Sequence, residues 1–170
     1  MKNEDITFFE SQRLNKMLLL IALIPINLIS LFGCYSQLIR GIPLGNNPAP
    51  DSVLIIMTVI VFLTSANVLW YNMKTIVNSE GICIHIWMCP FYTKTKTFLW
   101  EDISHVYIRK YRPLWEYGGW GFRNGLGGIA YNMSGNIGLQ IVMQNNKKVL
   151  IGTNRSEELF EILQKLGKAE

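Results

Sequence analysis

Hydrophobic positions change their rhythm along the chain. From Met17 to Ile39, MLLLIALIPINLISLFGCYSQLI, and again from Ser52 to Met73, SVLIIMTVIVFLTSANVLWYNM, no charge interrupts a nearly continuous apolar run. At about 1.5 Å rise per residue each run makes a helix roughly 33 Å long, enough for a hydrocarbon core of about 30 Å. The pattern predicts transmembrane helices over 17–39 and 52–73, an N-terminal tail over 1–16 and a short external loop over 40–51. From residue 74 the period drops to two. In GICIHIWMC, Ile82, Ile84, Ile86 and Met88 alternate with Cys83, His85, Trp87 and Cys89, a strand with one apolar face. Pro90 should end it, and TKTKTFLW resumes strand composition with Lys94 and Lys96 on one face. WEDI reads as a short turn, and SHVYIRKY as a strand with Val106 and Ile108 inward and Tyr107 and Arg109 outward.

Three further strands are predicted at GIAYNM, GLQIVM and KVLIGT, with hairpin turns at Ser134-Gly135-Asn136 and Asn145-Asn146. The closing NRSEELFEILQKLGKAE is helical, since Leu159, Ile162, Leu163 and Leu166 form one apolar stripe. Glu157 and Glu158 in its first turn and Lys165 near its end suit the helix dipole. Asn154 with Glu157 fits a capping box, with Thr153 as an alternative cap. Residues 74–170 thus read as a domain of about seven short strands and a terminal helix.

Composition and charge place these elements. Hydrophobic residues make up 49% of the 170 and charged ones 16%, lean for a soluble protein. The first apolar run exceeds a signal-peptide core of about 7 to 15 residues and no cleavage site follows it, so it reads as a retained anchor. Arg13, Lys16 and Lys74 flank the spans on one side against Arg40 on the other. The positive-inside bias then puts both termini and the β-domain in the cytoplasm, with the two spans in the cell (inner) membrane. Cys34 falls in the first span; Cys83 and Cys89 would lie in a reducing compartment. Together with His85 and His105 they match no zinc spacing, and no metal or cofactor is expected.

A two-span hairpin followed by YRPLWEYGGWGFR, GGIAYNMSGNIGLQ and LIGTNRSEEL resembles a family of small bacterial two-span membrane proteins of unknown function with a C-terminal pleckstrin-homology-like domain. The likeness runs from the FFESQR tail to the last helix. It is strongest at Arg112-Pro113, at Tyr117-Gly118-Gly119-Trp120-Gly121, at Tyr131-Asn132, at Gly135 and Gly138, and at Gly152-Thr153. Ser156 stands where many relatives would carry Pro. The resemblance implies an α+β membrane protein, a transmembrane hairpin followed by a pleckstrin-homology-like antiparallel β-sandwich or barrel with a C-terminal helix. It implies no catalytic residues.

Eight of the chain's 14 glycines lie between Glu116 and Gln140. No Gly-Lys-Ser/Thr follows GFRNGLGG, and a third glycine of a dinucleotide fingerprint is missing, so phosphate binding is disfavoured. Trp115, Trp120, Phe122 and Tyr131 are too aromatic for a linker, so the glycines read as turns, bulges and close approaches of a β-fold. Over the same region Arg109, Lys110, Arg112 and Arg123 interleave with Tyr111, Trp115, Tyr117 and Trp120. From Lys74 onward, 12 Lys and Arg stand against eight Asp and Glu, a net of +4. Arg109, Lys110, Arg112, Trp115, Trp120 and Arg123 are the candidate contact surface, for a membrane-protein partner or, alternatively, for anionic lipid headgroups; the competing and favoured reading is a solvated basic face with the aromatics buried in the sandwich. In the spans, Asn27, Ser30 and Cys34 share one helix face, and Thr64 and Asn67 share another, as candidate interhelical contacts; the chain's expected partner is another membrane protein or a second copy of itself. With no triad, HExxH or paired-carboxylate motif, the chain reads as a non-enzymatic, membrane-anchored binding or scaffolding module, with no nucleic-acid partner.

Overall fold

The computed structural model describes residues 7–43, 45–89, 92–125 and 127–169, with only the backbone at residue 89. Pro90, predicted to end a strand, lies outside them. The chain forms two compact units, Asn15–Trp70 and a β-domain drawn from Met1–Leu14 together with Tyr71–Glu170.

In the first unit, α1 (Lys16–Cys34) starts at Asn15, whose side-chain oxygen accepts from the N–H groups of Met17 at 3.0 Å and Leu18 at 3.4 Å. Five π-helical residues, Tyr35–Ile39, extend it, and α2 spans Asp51–Leu69. Both helices are long and apolar enough to cross a membrane. No residue of α2 is buried and only Gly33 of α1 is, so apolar side chains face outward all round. Their apolar residues are not confined to one stripe facing the rest of the described chain. The helices are joined through Asn27 Nδ2, which donates to Ser65 Oγ at 2.9 Å, and by a 3.1 Å contact between Cys34 Sγ and Thr58 Oγ1. The expected partners differ: Ser30 and Thr64 donate to carbonyls of their own helices, Ile26 and Ile60, and Asn67 contributes its backbone carbonyl to Trp70. A hydroxyl one turn from a carbonyl of its own helix bonds back to it before it reaches a neighbour.

The β-domain has nine strands among the described residues: β1 Phe8–Arg13, β2 Asn72–Val77, β3 Gly81–Cys89, β4 Tyr92–Leu99, β5 Ile103–Lys110, β6 Gly121–Gly125, β7 Gly128–Asn132, β8 Ile137–Met143 and β9 Lys148–Gly152. One sheet is antiparallel in the order β1-β2-β3-β4; the other runs β5-β8-β9-β7-β6 and is mixed, because β7 and β9 are parallel. Helix α4 (Ser156–Lys165) follows. Ile82, Ile84 and Ile86 from the first sheet, Leu139, Ile141 and Ile151 from the second, and Leu159 and Leu163 of α4 share one buried core. The period-two and helical-stripe readings therefore hold. A 3-10 turn over Trp100–Asp102 occupies WEDI, and Asn146, at φ 62°, turns β8 into β9.

Three expectations are corrected. The second span ends at Leu69, and Met73, which closes the predicted helix, is wholly buried in β2. The second sheet is not purely antiparallel, and Ser134-Gly135-Asn136 does not join a hairpin. Instead β9 lies between β7 and β8, placing Ala130 beside Leu150 and Tyr131 beside Ile151, so apolar pairing outweighs the nearest turn. Finally, the N-terminal segment is no tail. Residues Phe8 to Arg13 pair residue by residue with Val77 to Asn72.

β1 also organises the far end of the chain. Its buried side chains Phe8, Glu10 and Gln12 face the segment before α4. Glu10 accepts from Thr153 Oγ1 at 2.6 Å and from the Asn154 N–H at 2.8 Å, and Gln12 Nε2 donates to the Gly152 carbonyl at 2.7 Å. The helix therefore starts without the expected capping box: Arg155 is its N-cap, with no side-chain cap, and Thr153 Oγ1 accepts from the Arg155 N–H at 3.1 Å. A carboxylate more than a hundred positions away takes the role the local acid was expected to fill.

Candidate functional site

On the outer face of the second sheet, Arg109 of β5, Gln140 of β8, Ala130 of β7 and Leu150 of β9 are covered by the segment that follows β5. Pro113 opens a single turn of helix, α3 (Pro113–Tyr117), where its missing N–H costs nothing. Gly118, in the left-handed region at φ 71°, closes it, and the N–H groups of Gly118 and Gly119 bond the Leu114 and Pro113 carbonyls at 3.0 and 2.9 Å. Tyr111 and Tyr117 meet edge to face at 6.1 Å and form a small second core with Ala130 and Leu150.

A polar network pins this cover. Arg109 Nη2 donates to Glu116 Oε2 at 2.7 Å and to the Tyr117 hydroxyl at 3.2 Å, and its Nε donates to Gln140 Oε1 at 2.9 Å. Glu116 Oε1 accepts from the Arg112 N–H at 2.7 Å. Asn132 Nδ2, wholly buried, donates to the Tyr111 hydroxyl at 3.1 Å. The hydrogen bond from Arg109 holds the Glu116 carboxyl below its ordinary range, against the opposing effect of burial. Burial raises the Tyr111 and Tyr117 phenols. Partial burial works against the Arg109 charge, but the bond and charge of Glu116 outweigh it.

The six residues read as one surface therefore divide. Arg109 is half-buried, and its charge is matched by Glu116. Trp120 is half-buried and donates from Nε1 to the Gly135 carbonyl at 2.9 Å, while Arg123 Nε donates to the Trp120 carbonyl at 3.2 Å. Lys110 and Arg112 are exposed. Trp115, 83% exposed, projects with Leu114, 64% exposed, from the side of α3 opposite its anchors. Sequence reasoning missed Leu114 and the clamp made by Glu116 and Gln140. The signal available was the Pro113 to Gly118 frame, which marks one helical turn with Glu116 and Tyr117 at its end.

The glycines of the region behave as expected for a β-fold. At Gly128, with φ +101°, an added Cβ would lie 2.2 Å from the Lys148 carbonyl oxygen, so only glycine permits the close parallel approach of β7 to β9.

Elsewhere, Cys83 Sγ lies 3.5 Å from His85 Nε2 on the outer face of β3, and His85 Nδ1 lies 2.9 Å from Thr95 Oγ1. His105 belongs to β5, in the other sheet. Among the described residues no three His, Cys, Asp or Glu side chains group as metal ligands. Comparison with protein-family models and with curated proteins gave no match.

Proposed function

We propose that the chain is a non-enzymatic, membrane-anchored binding module, whose β-domain offers the rigid Leu114–Trp115 projection to a partner in or at its own membrane. The observation that carries this reading is the contrast within α3. One side is fixed by Tyr117, Glu116 and the Gly118 cap, while the other holds two large apolar side chains in water. Pre-ordered apolar anchors lose little entropy on binding.

The anchor is the pair of outward-facing apolar helices, which span the bilayer as a hairpin. Pairing of β1 with β2 supports this, since residues before α1 and after α2 must lie on the same side to share a sheet. Arg13, Lys16 and Lys74 against Arg40 favour the cytoplasmic side. Two sheets around one core with a C-terminal helix support a pleckstrin-homology-like fold, with the parallel β7–β9 pair as a departure from it. The partner read from the sequence is another membrane protein or an anionic lipid surface, and both would use the same projection.

A photo-crosslinking amino acid at position 115, compared with one at exposed Glu161 on α4, tests the reading in native membranes. Adducts to one defined lipid or protein class at 115, absent at 161, are expected. Equal, heterogeneous labelling at both sites would contradict it.

A further inference from the structure

We propose that Leu114 and Trp115, flanked by Lys110 and Arg112, contact the anionic surface of the membrane that the hairpin spans; this rests on the binding-module reading above. Trp115 is more exposed than any large apolar side chain on α1, its π-helical extension or α2, the most exposed of which are Ile39 at 74% and Ile29 at 71%. Leu114 beside it rules out a scattered single residue of the kind every surface carries. The two form a tip, whereas a protein hot spot is ordinarily a well-packed pocket or an anchor ringed by near-neutral contacts. Here the exposed neighbours in sequence are cations.

The charge balance identifies the occupant. Glu116 is the only acid between Arg109 and Arg123, and it is consumed by Arg109 and the Arg112 N–H. Lys110 and Arg112 have no carboxylate in ion-pair contact among the described residues, the Arg112 charge acting on Glu116 only through space, so the tip is apolar with two exposed positive charges beside it in sequence. Indole rings favour the headgroup level of a bilayer, and basic residues near an anionic leaflet are attracted to it. Access is given by chain connectivity: β2 begins at Asn72, three positions after α2 ends at Leu69, so the domain remains at high effective concentration beside the bilayer.

The test uses the full chain labelled with 5-fluorotryptophan, with the Trp115 resonance assigned by Trp115→Phe. The protein is placed in protein-free nanodiscs of phosphatidylcholine alone, in discs containing phosphatidylglycerol, and in discs formed from native membrane. A water-soluble gadolinium chelate and a spin-labelled lipid report exposure of each ring. In phosphatidylglycerol discs the Trp115 resonance should be shielded from the chelate and broadened by the lipid label. Lys110→Gln and Arg112→Gln should each lower the ratio of membrane-bound to free tip about fivefold. The other tryptophan resonances should stay unchanged, which shows that the variants remain folded. Shielding in native discs but in neither pure-lipid disc would overturn the lipid assignment and leave the binding-module reading standing. Full exposure in all three would overturn both.

Discussion

The two units of this chain differ in how they are written. The hairpin, Asn15–Trp70, is one continuous stretch, and its helices follow from composition alone. The β-domain is discontinuous: its first strand precedes the hairpin and the remaining eight follow it, so the hairpin is an insertion between two paired strands. A continuous apolar segment needs only an apolar solvent to form, because helical hydrogen bonds are satisfied within it. The sheet must instead recover a partner from beyond the hairpin, and it uses that partner twice, at the edge of β2 and at the start of α4. The hairpin thus serves as a connection within the β-domain, in addition to the anchoring proposed for it.

The largest expected effect comes from separating the two. A chain of residues 75–170 lacks β1 and the first part of β2, leaving the buried face of the sheet uncovered. It should be insoluble or unfolded, whereas residues 7–13 joined to 72–169 by a short Asn-Gly turn should give a soluble domain with cooperative thermal unfolding by circular dichroism. Equal folding of both would show that β1 is dispensable. Next comes the core that the two sheets share: Leu139 is wholly buried, and Leu139→Ala in the full chain should cost about 2–5 kcal/mol in denaturant unfolding.

The outer face of the second sheet should respond more weakly. Glu116→Gln removes the charge from a partly exposed pair and should cost about 1–2 kcal/mol, between the values for exposed ion pairs and for charged hydrogen bonds. The pH dependence follows from the lowered carboxyl. The stabilisation is complete above the ordinary value of 4.5 and is lost as pH falls through the lower folded value, so acid unfolding of wild type and Glu116→Gln should converge there. Smallest is Trp115→Ala, which touches nothing that holds the fold and should change stability by less than about 0.5 kcal/mol. A loss on the scale of Leu139→Ala would mean that Trp115 is a packing residue and not a contact.

Legibility followed the range of the interactions. Ile82, Ile84 and Ile86 announced β3, and Leu159 and Leu163 announced α4, because burial repeats locally along each element. β1 was hidden because its inward face includes Glu10 and Gln12, polar residues whose partners, Thr153, Asn154 and Gly152, lie at the other end of the chain. The parallel β7–β9 pair was hidden for the same reason, since its register depends on apolar matches between strands that no turn connects. At the candidate site, basic and aromatic composition singled out the segment from Arg109 to Arg123, and the structure splits its residues between a buried network and an exposed projection. Which arginine side chain pairs depended on α3 folding back: Glu116 then reaches the Arg109 guanidinium and meets Arg112 through its backbone N–H and carbonyl.

The central claim, one β-domain interrupted by a membrane hairpin, is tested most directly by labelling single cysteines in intact cells. In a background lacking Cys34, Cys83 and Cys89, cysteines replace exposed Ser11 on β1, Asn47 in the loop between the helices, and Glu161 on α4. With a membrane-impermeant maleimide, labelling is expected at 47 alone before lysis and at 11 and 161 only after it. Labelling that puts 11 and 161 on opposite sides of the membrane would contradict the shared sheet and the hairpin together.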